Sequence, residues 1–236
     1  MRIKTRLMLK FDSLILKFLR EIAKRITANS VSPIGYLYKI SAKESAEFMN
    51  SEIHQAKVFS NRIELMNFAL SNMKSTGNCA EFGVYKGESI DYIASTIKPR
   101  PVYGFDSFEG LQESWAGSSH DKAAFDLKGK LPTVPKNVTL IPGWFDKSLP
   151  DWLNSHPEPF ALIHIDSDTY EACRTIFELT HSHINEDTLI VFDEHHGYPG
   201  WKNGEYKALN EFLQKHGLRR TYLAFSEMSA VIRIHR

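Results

Sequence analysis

"CAEFGVYKGES", residues 79–89, is the stretch on which the reading of this chain turns. An apolar run carrying one acid, Glu81, breaks at Gly83 and again at Gly87, and "ESIDYIASTI" then takes up helical spacing. This is the pattern of a β-strand turning into an α-helix. The alternation recurs downstream: "VYGFDSF"; "NVTLIPGWF", then "LPDWLNSH"; "FALIHIDSD", then "YEACRTIFELTHSHI"; "TLIVFDEH", then "EYKALNEFLQKHG". It predicts an α/β fold, doubly wound and Rossmann-like, with a mainly parallel, seven-stranded sheet covered by helices on both faces. The closing runs "RRTYLAFS" and "SAVIRIHR" are separated only by a brief turn, which predicts an antiparallel C-terminal hairpin at the far side of the sheet.

Upstream of that stretch, residues 44–75 read as helical. Asn61 and Glu64 have the spacing of a capping box, and Ile63, Met66, Phe68, Leu70 and Met73 follow as an apolar face. Residues 1–43 read as a separate basic, amphipathic helical extension, because Leu7, Phe11, Leu14, Phe18 and Ile22 recur at helical spacing among lysines and arginines. Such a helix either packs on the domain or on a second copy in a homo-oligomer, or lies on an anionic membrane surface. The domain proper is then 44–236. Within it the polar segment 110–135 has weak periodicity, and a loop of that length in a compact domain is expected to act as a lid or binding loop.

Composition bounds the possibilities. The 236 residues, 42% of them hydrophobic and 24% charged, suffice for one α/β domain with a full core. A formal net charge of +1 offers no global attraction for nucleic acid. Cys79 and Cys173 sit in apolar segments without metal-ligand spacing and read as reduced thiols. No run of about 18 apolar residues and no signal-like segment is present, so the expected location is the cytoplasm, with peripheral membrane association through the basic helix as the exception.

The first strand-to-helix turn of a doubly wound sheet faces the ligand cleft. Its glycines stand as G-x-x-x-G, without the G-x-G-x-x-G that would let amides meet a pyrophosphate, and Glu81 and Glu88 add negative charge. A cationic ligand suits this turn better than a diphosphate, and a sulfonium cofactor with an amino group is the candidate. Asp106, 23 residues beyond Gly83 at the end of the next strand, is placed to hold two ribose hydroxyls. Asp166 and Asp168 end the fourth strand, and Asp193 and Glu194 the fifth. Four acids on neighbouring strand ends repel unless a cation lies between them, and an all-oxygen set suits Mg²⁺. His195 and His196 follow as possible bases.

In "EFGVYKGES", "YGFDSFEGL", "GWFDKSLP", "IHIDSDTYE" and "VFDEHHGYPGW", from about Glu64 to Ala208, the chain resembles the class I S-adenosylmethionine-dependent methyltransferases, and within them the macrocin O-methyltransferase-like group that methylates sugar hydroxyls. The resemblance implies that Glu81 and Gly83, with Tyr85, Gly87 and Ser89 of the same turn, hold the methionine end of S-adenosylmethionine. By the same likeness Asp106 and Ser107 take the ribose, and Gly143, Trp144 and Phe145 the adenine side, with Asp166 also beside the cofactor. Asp166, Asp193 and Glu194 would hold Mg²⁺, with Asp166, Asp168 or His195 as the catalytic base. Where the family often has two aspartates this chain has Asp193 and Glu194. Tyr198, Trp201 and Lys202 offer contacts to a small-molecule or saccharide acceptor. The competing readings are an inactive methyltransferase-like binding protein acting through its basic helix, and an NAD-dependent oxidoreductase.

Overall fold

The computed structural model describes residues 32–235. The reading of residues 1–31 as part of a basic amphipathic helix lies outside them. Helix α1 (Pro33–Glu52) is opened by Ser32, whose hydroxyl accepts from the Gly35 amide at 3.0 Å, with Pro33 in the first turn. It runs across the 43/44 boundary. The helix expected over 44–75 is in fact two, parted by a short edge strand β1 (Lys57–Val58), with α2 (Arg62–Ser71) following. Asn61 and Glu64 do form a capping box: Asn61 Oδ1 accepts from the Glu64 amide at 2.9 Å, and Glu64 Oε2 accepts from the Ser60 amide at 3.3 Å.

Beyond this lie β2 (Asn78–Phe82), α3 (Glu88–Thr96), β3 (Val102–Asp106), β4 (Val138–Pro142), α4 (Phe145–Ser155), β5 (Phe160–Ile165), α5 (Tyr170–Thr180), β6 (Leu189–Phe192), α6 (Glu205–His216), β7 (Arg219–Phe225) and β8 (Ala230–His235). The strands form one eight-stranded sheet in the order β1-β7-β8-β6-β5-β2-β3-β4. These are the seven expected strands plus β1, which pairs parallel with β7. Only β8 runs antiparallel to its neighbours. It lies between β6 and β7, so the hairpin forms the expected far side of the sheet, with the short β1 added outside it. Among the described residues no helix is long and apolar enough to cross a membrane.

Both faces are apolar and both are covered. Leu149, Trp152, Ile176, Phe177, Leu209 and Phe212 of α4, α5 and α6 pack on Phe82, Phe105, Ile163, Ile165 and Phe192. On the opposite face Leu65, Met66, Ile90 and Ile93 of α2 and α3 pack on Cys79, Leu162, Leu189 and Val191. Burial on both sides explains why β5 and β6 read as continuous apolar runs.

The strand order reverses direction between β2 and β5, and the crevice beyond their carboxyl ends is where such sheets bind ligands. Gly83 closes that point. Its φ is +92°, and a Cβ on it would lie 1.7 Å from the Asp166 carbonyl oxygen, so only glycine lets the two strand ends meet. Gly83→Ala is therefore expected to destabilise the protein by at least about 2 kcal/mol in urea unfolding. An unchanged midpoint would show that this approach is dispensable.

Candidate functional site

A cavity of about 660 Å³ opens at the carboxyl ends of β2 to β6. Of the residues expected to bind a cofactor, Gly83, Tyr85, Ser89, Asp106, Ser107, Gly143, Trp144, Phe145 and Asp166 all line it. The segment 110–135 supplies part of its wall through Leu111, Gln112, Trp115 and Phe125. That segment is anchored to the loop after β6, where Trp115 meets Tyr198 edge-on at 5.8 Å and a Cβ on Gly117 would lie 1.6 Å from the Pro199 carbonyl oxygen.

Asp106 organises the mouth of the turn. Its Oδ2 accepts from the Val84 and Tyr85 amides, each at 2.8 Å, and its Oδ1 from the Phe108 amide at 2.7 Å. These bonds hold Tyr85 at φ +47°, an uncommon conformation for a non-glycine residue. A carboxylate offers about four acceptor positions, so room for a hydroxyl remains beside the three amides.

Glu81 and Gly87 do not line the cavity. Glu81 is fully buried; its Oε2 lies 2.9 Å from His164 Nδ1, and its Oε1 accepts from the Ser89 hydroxyl at 3.1 Å. Burial pulls the His164 pKa down, but the bond to Glu81 and its charge outweigh this and raise it to about 9. Glu81 thus reaches the cavity only through Ser89. Gly87, at φ +87°, begins α3 and faces Pro132 and Val134.

Asp166, Asp168, Asp193 and Glu194 all line the cavity. Asp166, Asp168 and Glu194 place one oxygen each within 4.8 Å of one another. Asp193 instead pairs with Arg62 of α2 at 3.0 Å. Burial, then the charges of the neighbouring acids, push Asp166 and Glu194 well above the carboxylate range and Asp168 up to about 7. The spacing of these three acids is one that could hold a metal ion. Glu194 Oε2 and Ser167 Oγ, both buried, have no hydrogen-bond partner among the described residues. Eight acidic residues line the cavity against three basic ones, Arg62, Lys86 and Arg174, so its wall favours positively charged ligands.

His195 is not brought to the cavity. Its Nε2 lies 2.7 Å from the Tyr222 hydroxyl, its ring is packed beside Phe48, Phe192 and Tyr206, and burial lowers its pKa well below the ordinary value. His196 Nε2 meets the Ser226 carbonyl at 3.1 Å. The backbone amides of both donate to Met228, which turns the two rings toward β7 and β8. Tyr198, Trp201 and Lys202 also stay outside. Trp201 is buried against Phe48, and Lys202 pairs with Glu44 at 3.0 Å.

Several cavity residues carried no sequence signal. Arg62 read only as part of a helix start, and Trp115 and Phe125 as polar-loop members. Outside the cavity lining, Glu205 at the start of α6 is fully buried, and burial and then the charges of Asp168 and Asp166 push it well above the carboxylate range. A second chamber of about 180 Å³ shares Arg62, Glu88, Ser89 and Asp193 with the main cavity. His164 lines it, with a buried Nε2 that has no partner.

Residues 80–195 match a family model described as a methyltransferase domain. Among solved structures, the chain is similar to the calicheamicin methyltransferase CalS11, with 20% identity, a TM-score of 0.57 and 91% of each chain covered. The apo structure of CalS11, described as a TDP-rhamnose 3′-O-methyltransferase, gives 20% identity and a TM-score of 0.51 over 91% of this chain and 93% of that one. The O-methyltransferase NovP gives 18% identity and a TM-score of 0.55 over 74% of this chain and 80% of that one. At these identities the likeness is one of fold. No curated protein matches the chain in sequence.

The acid cluster sets a pH dependence. The Asp168 pKa is about 7 in the folded state against 3.8 for an unperturbed aspartate, so its contribution is present at low pH and is lost as pH rises through about 7. In metal-free protein the thermal midpoint is expected to fall between about pH 4 and pH 7, and Asp168→Asn to flatten that fall. Millimolar Mg²⁺ should raise the midpoint most at the alkaline end; a midpoint indifferent to Mg²⁺ would leave the cluster without a cation role.

Proposed function

We propose that the chain is a class I, S-adenosylmethionine-dependent methyltransferase that methylates a hydroxyl of a sugar or sugar-bearing small molecule with the help of Mg²⁺, a reading supported by the match of residues 80–195 to a methyltransferase-domain model. The observation that carries this reading is the cluster of Asp166, Asp168 and Glu194 beside the turn at Gly83. The likeness to CalS11, a TDP-rhamnose 3′-O-methyltransferase by description, supports the sugar class of acceptor.

When bound, S-adenosylmethionine supplies a methyl group activated by its sulfonium charge. The negatively charged wall favours that cation, and the turn pinned by Asp106 gives it a rigid seat. Gly143, Trp144 and Phe145 would hold its adenine side, and Ser107 with Asp106 its ribose. Its amino-acid end would reach the smaller chamber, where Arg62, Ser89 and His164 suit a carboxylate and Asp193 and Glu88 an ammonium.

Asp166 and Glu194 would hold the divalent cation, with Asp193 staying paired to Arg62, and the hard oxygen set suits Mg²⁺. A divalent cation held there would supply Lewis-acid activation of an acceptor hydroxyl. Asp168, within 4.8 Å of Asp166 and Glu194, would then be the base that takes the hydroxyl proton. The Trp115 and Phe125 side chains wall the cavity from the loop side and give the acceptor an apolar face to rest on.

Calorimetric titration should show saturable binding of S-adenosylmethionine and none of NAD. Asp106→Ala should weaken that binding at least about tenfold by freeing the turn. With a nucleotide sugar or saccharide bearing adjacent hydroxyls as acceptor, Asp168→Asn should lower kcat by about 10²- to 10⁴-fold while cofactor affinity stays within about threefold. Binding of NAD in place of S-adenosylmethionine would overturn the reading, and so would full activity in Asp168→Asn.

A further inference from the structure

The two ends of α1 have opposite environments. Its C-terminal half is anchored: Ser45 Oγ accepts from the Gly197 amide at 2.9 Å, Lys202 pairs with Glu44, and Phe48 sits among His195, Trp201, Tyr206, Tyr222 and Phe225. The first two turns stand clear of the domain. There Ile34 is 67% exposed, Tyr36 54%, Leu37 51%, Tyr38 53% and Ile40 54%, and burial begins only at Ser41. Five large apolar side chains within seven residues, exposed around the helix, form a patch that a water-facing helix end does not need. Isoleucine and leucine beside tyrosines suit the boundary between headgroups and acyl chains.

Charge decides what covers the patch. Residues 1–40 contain nine lysines and arginines and two acids, a net +7. The whole chain carries +1, so the remaining residues hold −6. Two copies joined through this end would bring two +7 segments together and repel. An anionic lipid surface would attract the same segment and leave the acidic remainder facing water.

We propose that the N-terminal end of α1, residues 33–40, is a peripheral membrane-binding surface selective for anionic lipid. This surface is built from residues outside the cavity and is independent of the methyl-transfer reading.

The test is co-sedimentation of the full chain with vesicles of phosphatidylcholine alone or with about 30 mol% phosphatidylglycerol, at low salt and in about 0.5 M NaCl. The expected result is binding at least about tenfold stronger to the anionic vesicles, lost in high salt. The triple variant Ile34→Ser, Leu37→Ser, Ile40→Ser should reduce that binding by about tenfold or more. Its circular dichroism and thermal midpoint should match the parent, since none of the three side chains is buried. Equal sedimentation with both lipids would overturn the proposal, as would a triple variant that binds as well as the parent. A triple variant that turns a dimer into a monomer without altering vesicle binding would assign the face to a second copy instead.

Discussion

Three carboxylates held within 4.8 Å of one another, at the buried end of a parallel sheet, are the constraint around which the rest of this molecule is arranged. Each ionised acid there raises the cost of ionising the next, and burial adds to that cost. An opposing charge is supplied from outside the sheet: Arg62 reaches from α2 to Asp193, at the edge of the group. The cavity wall beside the group carries eight acidic residues against three basic ones among the described residues.

Bringing those acids together is the work of backbone geometry. Parallel pairing sets Phe82 beside Ile165, and Ile165 beside Phe192, so that three chain segments leave the sheet at one level. Gly83 then lets the first of them touch the Asp166 carbonyl, and Asp106 ties the following turn to the end of β3. Asp168 emerges at φ +63°, a conformation uncommon for an aspartate, and is held by the strands and helix around it. The turn at Gly83 and the acid group are therefore parts of one edge of the sheet.

Side chains that resemble site residues in sequence are diverted when the next neighbour offers them a closer partner. Glu81 lies one position before the end of β2, on the face covered by α2 and α3, and it meets His164 across the strand pair. His195 follows Glu194 directly, yet the bond from its amide to Met228 turns it into an aromatic cluster under α1. Adjacent positions in the chain thus serve the cavity and the core alternately.

Much of the architecture was legible in the sequence, because hydrophobic periodicity and strand-end glycines are local properties. The alternation of strands and helices, the closing hairpin, the Asn61–Glu64 capping box, and the convergence of Asp106, Asp166, Asp168, Asp193 and Glu194 on one sheet edge all follow from spacing of this kind. The short strand β1 had no such signal: two residues are too few to show a period, and only pairing with β7 makes them a strand. The insertion of β8 between β6 and β7 likewise depends on which edges are free once the sheet has formed. The partners of Arg62, Trp115 and Glu205 lie far away in sequence, and the faces of Glu81 and His195 depend on how strands and loops pack. The sequence by itself determined which residues end the strands; the tertiary structure decided which of those side chains share the cavity, because distance and burial arise only when separate segments are packed together.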